Sequence, residues 1–274
     1  MAPLPFDSKP SSATIFKICL TGFVLAFLLT PVACTKSAPT HIQDSIKKQQ
    51  WAIIVGIGDY EYLDVDTRYA DDDATSFYTK LEPIFGNDHV KLLVSSNATK
   101  IGFRNAIYDW LDPREDENDI VLFFLAGHGN YEFFQLYDSL KGTHNNDISP
   151  SELNIWLDIL ESKNIAIIMD FCESGSYSDN ISNIGRIIIT GCTGREKCWQ
   201  EKAYEHGVFS YYLIEALSQF DAVDVNGDGM ISAEELFCYL KLKVEFEFQQ
   251  YPPPSPQHPY INDNHDGELI LFSN

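Results

Sequence analysis

Two residues carry chemistry by virtue of where they fall in the chain. His128 follows the apolar run at residues 119–126 (D-I-V-L-F-F-L-A) inside the turn Gly127-His128-Gly129. Cys172 follows a second apolar run, 165–169, inside D-F-C-E-S-G. A cysteine attacks an amide only when a base or a depressed pKa supplies the thiolate, and imidazole titrates in the useful range. The flanking glycines of His128 allow close backbone approach, and the amides of Gly129 and Cys172 are candidates to hold an oxyanion. Singly these signals are weak, because most histidines are structural and free cysteines are usually buried. Of the seven histidines, however, only His128 ends an apolar run within G-H-G.

Both residues need a scaffold that places them side by side. Strand-length apolar runs occur at 51–56, 90–94, 119–126, 165–169 and 186–190, with a short final strand at 268–272. Between them, helical periodicity marks 70–85, 100–111, 151–160, 209–220 and 233–246. The prolines of 252–256 mark a loop, and no internal repeat is visible. Alternation of this kind predicts an α/β domain with a mostly parallel sheet covered on both faces. Such sheets place chemistry just beyond the carboxyl ends of their strands, which lie about 4.8 Å apart.

These motifs resemble the caspase–metacaspase family of cysteine peptidases. The likeness spans residues 51–271 and rests on W-A-I-I-V-G-I, Y-A-D-D-D-A, G-H-G and D-F-C-E-S-G. H-G-V-F-S-Y-Y-L and Q-H-P-Y-I-N-D-N-H-D-G-E-L look like microbial, especially archaeal, members. Cys-Glu-Ser-Gly-Ser is also similar to legumain-like peptidases. The resemblance implies a three-layer caspase–hemoglobinase fold with a mostly parallel six-stranded sheet over residues 50–274. It implies His128 as base, Cys172 as nucleophile and protein or peptide substrates, and an enzyme of this kind is expected to alkylate at Cys172 faster than at an ordinary cysteine. It also makes Asp73 and Asp170 acids of the primary substrate pocket, selecting lysine or arginine by charge pairing. The plainer readings are a helix-start acid for Asp73 and a polar strand end for Asp170. Two departures stand out: Ala126 replaces the serine usual before G-H-G, and Arg68 lies near where caspases hold an acid-binding arginine. Arg195 and Lys197 lie in a candidate self-cleavage loop, and a single-chain monomer is the expected state. The rival reading is a catalytically silent, calcium-braced scaffold on the same fold.

A second motif is independent of the first. Residues 224–235, D-V-N-G-D-G-M-I-S-A-E-E, match an EF-hand loop. Asp224, Asn226 and Asp228 occupy positions one, three and five, and Gly229 position six. Met230 offers its carbonyl, Ser232 acts through a water, and Glu235 closes the site. Ca²⁺ as a structural brace is the only cofactor expected, and the alternative is an Asx-Gly turn without metal.

The remaining features concern location. The net charge of −21 argues against nucleic acid and anionic lipid surfaces as partners. Lys9 and Lys17 precede an apolar run at 18–29, then Thr30-Pro31-Val32-Ala33-Cys34, which reads as an export signal over 1–33, the alternatives being a retained membrane anchor and lipidation at Cys34. A polar tether over 34–49 follows. Cys192 and Cys198 either pair or remain thiols, Cys238 reads as core, and Asn97 and Asn180 head glycosylation sequons.

Overall fold

The computed structural model describes residues 48–273. The signal, Cys34 and all of the tether except Lys48 and Gln49 lie outside the described residues. Among the described residues, no helix is long and apolar enough to cross a membrane.

In chain order the elements are β1 (Gln50–Gly56), α1 (Ala70–Phe85), β2 (Val90–Val94), α2 (Lys100–Asn105), β3 (Ile120–Ala126), α3 (Pro150–Leu157) and β4 (Asn164–Asp170). There follow α4 (Ser174–Ser178), β5 (Arg186–Thr190), β6 (Gln200–Glu201), β7 (His206–Gly207), α5 (Val208–Ala216) and α6 (Phe220–Val223). The chain closes with β8 (Met230–Ser232), α7 (Ala233–Gln250), β9 (Tyr260–Asp263) and β10 (Ile270–Ser273). Six strands form one sheet in the order β2-β1-β3-β4-β5-β9. All neighbours are parallel except the edge strand β9, which runs antiparallel to β5.

The central strands are buried on both faces because successive residues point to opposite sides. Ala52, Ile54, Leu122 and Phe124 pack beneath Phe77 of α1 and Phe209 and Leu213 of α5. Ile53, Val55, Val121 and Phe123 face Phe103 of α2 and Trp156 of α3. Every residue of β3 is buried. Strand order reverses between β1 and β3, so the crevice for a ligand lies at the carboxyl ends of these strands.

Three expectations need correction. The final strand does not join the main sheet; β10 pairs antiparallel with β8 in a separate two-stranded ribbon. The sixth strand of the sheet is β9, whose half-polar sequence Tyr-Ile-Asn-Asp suits an edge rather than a core. The helix expected over 209–220 ends at Ala216, and a separate turn, α6, begins at Phe220. The helix expected over 100–111 does run to Leu111, but its second half, Ala106–Leu111, widens to π-type turns.

Candidate active site

Strand register brings the histidine and cysteine together. Ala126 at the end of β3 lies opposite Asp170 at the end of β4. His128 and Cys172 each follow two residues later, so both emerge on the same rim. They line one cavity of about 290 Å³ together with Arg68, Asp73, Asp170 and Cys198.

His128 is held by contacts outside its own turn. Its backbone N–H donates to the Tyr60 hydroxyl at 2.6 Å, and its ring stacks on Tyr60 with centroids 5.2 Å apart. Nε2 lies 3.1 Å from the Val65 carbonyl, which has only acceptor capacity. The ring proton is therefore assigned to Nε2, and Nδ1 keeps the basic lone pair. Burial lowers the imidazole pKa, partly opposed by the Val65 bond and by Asp66. Burial also raises the Cys172 thiol, with Asp170 and Cys192 pushing the same way and the Cys198 amide and Lys197 opposing. Both directions favour a thiol and a neutral imidazole over a preformed ion pair.

The turn after β3 also sets the candidate oxyanion site. Gly129 and Phe134 form an antiparallel bridge whose hydrogen bonds come from their neighbours, Gln135 N–H to the His128 carbonyl and Asn130 N–H to the Phe133 carbonyl, each 2.9 Å. In such a non-hydrogen-bonded pair the bridging residue's own N–H points away from its partner strand. The Gly129 amide is therefore aimed outward. A Cβ on Gly129 would sit 2.5 Å from Cδ2 of the buried Phe171 ring. Gly129→Ala is accordingly expected to cost about 1–3 kcal/mol of stability and to displace the turn that carries His128. Thermal unfolding alongside peptide turnover checks this, and a variant that melts and turns over like the parent would contradict it. Across the rim, Glu173 adopts the left-handed conformation (φ 60°) immediately after Cys172, a strained backbone of the kind found at functional turns.

The cavity floor is acidic. Asp73 lies in the first turn of α1, yet it is buried rather than a solvent-facing helix-start acid. One of its oxygens lies 2.6 Å from His206 Nδ1, and the Gly207 amide donates to both oxygens at 3.2 Å. Asp170 accepts from the Ser210 hydroxyl at 2.6 Å and the Ser210 amide at 3.2 Å. Burial raises both carboxyls, Asp73 to about 7 even with the favourable bond from His206. Arg68 is exposed at the rim, its amide donating to Gln200 Oε1.

Sequence reasoning missed four participants: Tyr60, Val65, His206 and Ser210. His206 and Ser210 belong to H-G-V-F-S-Y-Y-L, which signals kinship without naming a role. Val65 acts through its carbonyl, which no side-chain pattern reveals.

The loop between α6 and α7 has the expected glycine in the left-handed region, Gly229 at φ 81°. Asp224 accepts from the amides of Gly227, Asp228 and Gly229, Asn226 from that of Asp228, and Asp228 from that of Met230. Glu235 accepts from the amides of Val225, Asn226 and Ser232 and completes a capping box on α7. Among the described residues, no three Asp, Glu, His or Cys side chains converge as a metal cage. The donors are nonetheless all oxygens, the chemistry that Ca²⁺ takes.

Cys192 and Cys198 are free thiols with sulfurs 3.0 Å apart, and Cys198 also donates to the Phe171 carbonyl. Cys238 is half-buried on α7 rather than in the core.

Comparison with known proteins agrees with this fold. No curated protein matches the chain. A solved structure described as pro-sf-caspase-1 aligns with a TM-score of 0.57 at 14% identity, covering 82% of this chain and 95% of that one. A model of the caspase domain matches residues 49–263. The chain therefore belongs to the caspase-domain family.

Proposed function

We propose that this protein is a cysteine endopeptidase that cleaves after arginine or lysine. The observation that carries the reading is the register of β3 and β4, which places His128 and Cys172 on one cavity above two buried carboxyls. Nδ1 of His128 takes the Cys172 proton as the sulfur attacks the scissile carbonyl. The tetrahedral oxyanion is stabilised by the amides of Gly129 and Cys172. His128 then protonates the departing amine, leaving a thioester on Cys172. Water, deprotonated by His128, hydrolyses that thioester and regenerates the thiol. Asp73 and Asp170 supply the negative floor for a basic side chain.

The deciding experiment is turnover of peptides ending in Arg, Lys, Asp or Asn by the full chain, parent and Cys172→Ala. Cleavage after Arg or Lys that vanishes in the variant supports the proposal. Cleavage only after Asp assigns the pocket to Arg68 instead, and no cleavage of any peptide favours the silent scaffold.

The loop at residues 224–235 is proposed to bind Ca²⁺ through Asp224, Asn226, Asp228, the Met230 carbonyl, Ser232 through water, and Glu235. The ion braces α7 against β8 and takes no part in the chemistry. Calcium is expected to raise the melting midpoint relative to chelator, and Glu235→Gln to remove most of that difference. Equal midpoints for the parent in calcium and in chelator would refute it.

A further inference from the structure

The pocket floor holds a histidine within ion-pairing distance of one of its acids. Asp73 is 1% exposed and Asp170 7% exposed, and they face each other across Gly207. A Cβ there would lie 2.5 Å from Asp170 Oδ2 and 3.1 Å from Asp73 Oδ2. Two carboxylates so close in a dry site oppose each other's ionisation. Asp170 is held by a neutral hydroxyl and an amide, and among the described residues only His206 forms an ion pair with either acid. The His206 side chain is 19% exposed against 2% for that of Asp73, so its ring reaches solvent while its Nδ1 reaches the floor.

We propose that His206 is a specificity-determining residue, a placeholder cation that neutralises Asp73 in the empty pocket and gives up its proton when a lysine or arginine side chain arrives. The inference rests on the basic-pocket reading above. The ring need not leave; only its charge does, with the proton passing to solvent and Asp73 transferring its pairing to the substrate. Acidic groups surround His206 on several elements. Asp72 and Asp73 face it from α1, Asp170 from β4 lies beyond Asp73, Glu205 precedes it, and Glu201 is its cross-strand partner on β6. The Tyr211 ring of α5 lies 6.5 Å away, and Arg68 on the cavity rim is the opposing charge. This setting, led by the Asp73 bond, raises the His206 pKa. Below that pKa the imidazolium competes with a basic substrate for Asp73; above it the carboxylate is released. Affinity for a basic side chain therefore rises with pH through the His206 titration, whereas affinity for a neutral one does not.

The test uses the full chain carrying Cys172→Ala, with N-acetyl-arginine amide and its uncharged isostere N-acetyl-citrulline amide as probes. Histidine ring resonances are followed by NMR, with the His206 signal identified by its loss in His206→Gln. Saturating arginine amide is expected to lower the His206 midpoint by about one pH unit, equivalent to about tenfold in affinity, while citrulline amide leaves it unmoved. His206→Lys, a charge that cannot be shed near neutral pH, is expected to weaken arginine amide at least about tenfold at pH 8 without affecting citrulline amide. Arginine binding that leaves the midpoint unmoved, or a lysine variant that binds arginine like the parent, overturns the placeholder role alone. Failure of arginine amide to bind, with or without binding of N-acetyl-aspartate amide run as a third probe, overturns the basic pocket, and the placeholder with it.

Discussion

His128→Gln is expected to reduce kcat/KM on any cleaved peptide by about 10²–10⁴-fold, the range contributed by a positioned general base. Glutamine keeps a donor near the Val65 carbonyl, so the loss isolates the missing lone pair rather than a collapsed turn. The pH profile provides an internal check. The base must be neutral to act, and burial lowers the His128 pKa. For a peptide with a neutral terminal residue, the acid limb therefore lies below the ordinary imidazole range, and activity persists at mildly acidic pH. The thiol is raised rather than lowered, so thiolate accumulates only above the usual cysteine range. Iodoacetamide should accordingly alkylate Cys172 in the unliganded protein more slowly than it alkylates free cysteine at neutral pH. Rapid alkylation at pH 6, with an acid limb set by a low thiol pKa, would show instead a preformed thiolate–imidazolium pair.

Asp170→Asn is the second large effect. Asparagine is close in shape and retains an acceptor for the Ser210 hydroxyl, so the strand end should survive. Removing one member of a buried charge pair costs about 2–5 kcal/mol of binding, which corresponds to at least about 30-fold in kcat/KM for arginine-ended peptides. The loss should fall mainly on KM, because the side chain is gripped in ground and transition states alike. Stability should move the other way. Burial raises the Asp170 pKa above its unfolded value, so the favourable protonated state is lost as pH rises through the folded pKa. Asparagine escapes that loss, and the variant should melt no lower than the parent, with its advantage growing toward alkaline pH. A variant that melts well below the parent at every pH, with turnover reduced in proportion to folded protein, would make Asp170 a structural residue only.

The chemistry was more legible in the sequence than its supports. His128 and Cys172 stood out because parallel strands advertise themselves as apolar runs, and whatever follows their carboxyl ends shares a rim, whereas Asp73 and Asp170 were singled out only by the family resemblance. What the spacing did not reveal was the third partner of each group. Val65 contributes a main-chain oxygen from the loop after β1, Tyr60 a hydroxyl from the same loop, and His206 and Ser210 arrive from far along the chain. Such contacts are set by tertiary placement, and residue type carries no trace of it. The edge strand β9 escaped for a different reason: it is short and half-polar, without the apolar run that revealed its neighbours. Conversely, 268–272 has the apolar composition of a strand, but composition does not say which sheet a strand joins.

The small β8–β10 ribbon lies where the loop at residues 224–235 meets the base of the sheet. Gln50, the first residue of β1, donates through Nε2 to the Leu271 carbonyl of β10 at 2.7 Å. The entrance to the first strand and the last strand are thus stitched together at the amino ends of the parallel strands, while the cleft opens at their carboxyl ends. Lys48 and Ser273, the first and last described residues, thus lie on the side opposite the cleft. A bead or fusion partner attached at Lys48 or Ser273 would hold the domain by its back, with the mouth of the cleft facing outward toward whatever polypeptide approaches.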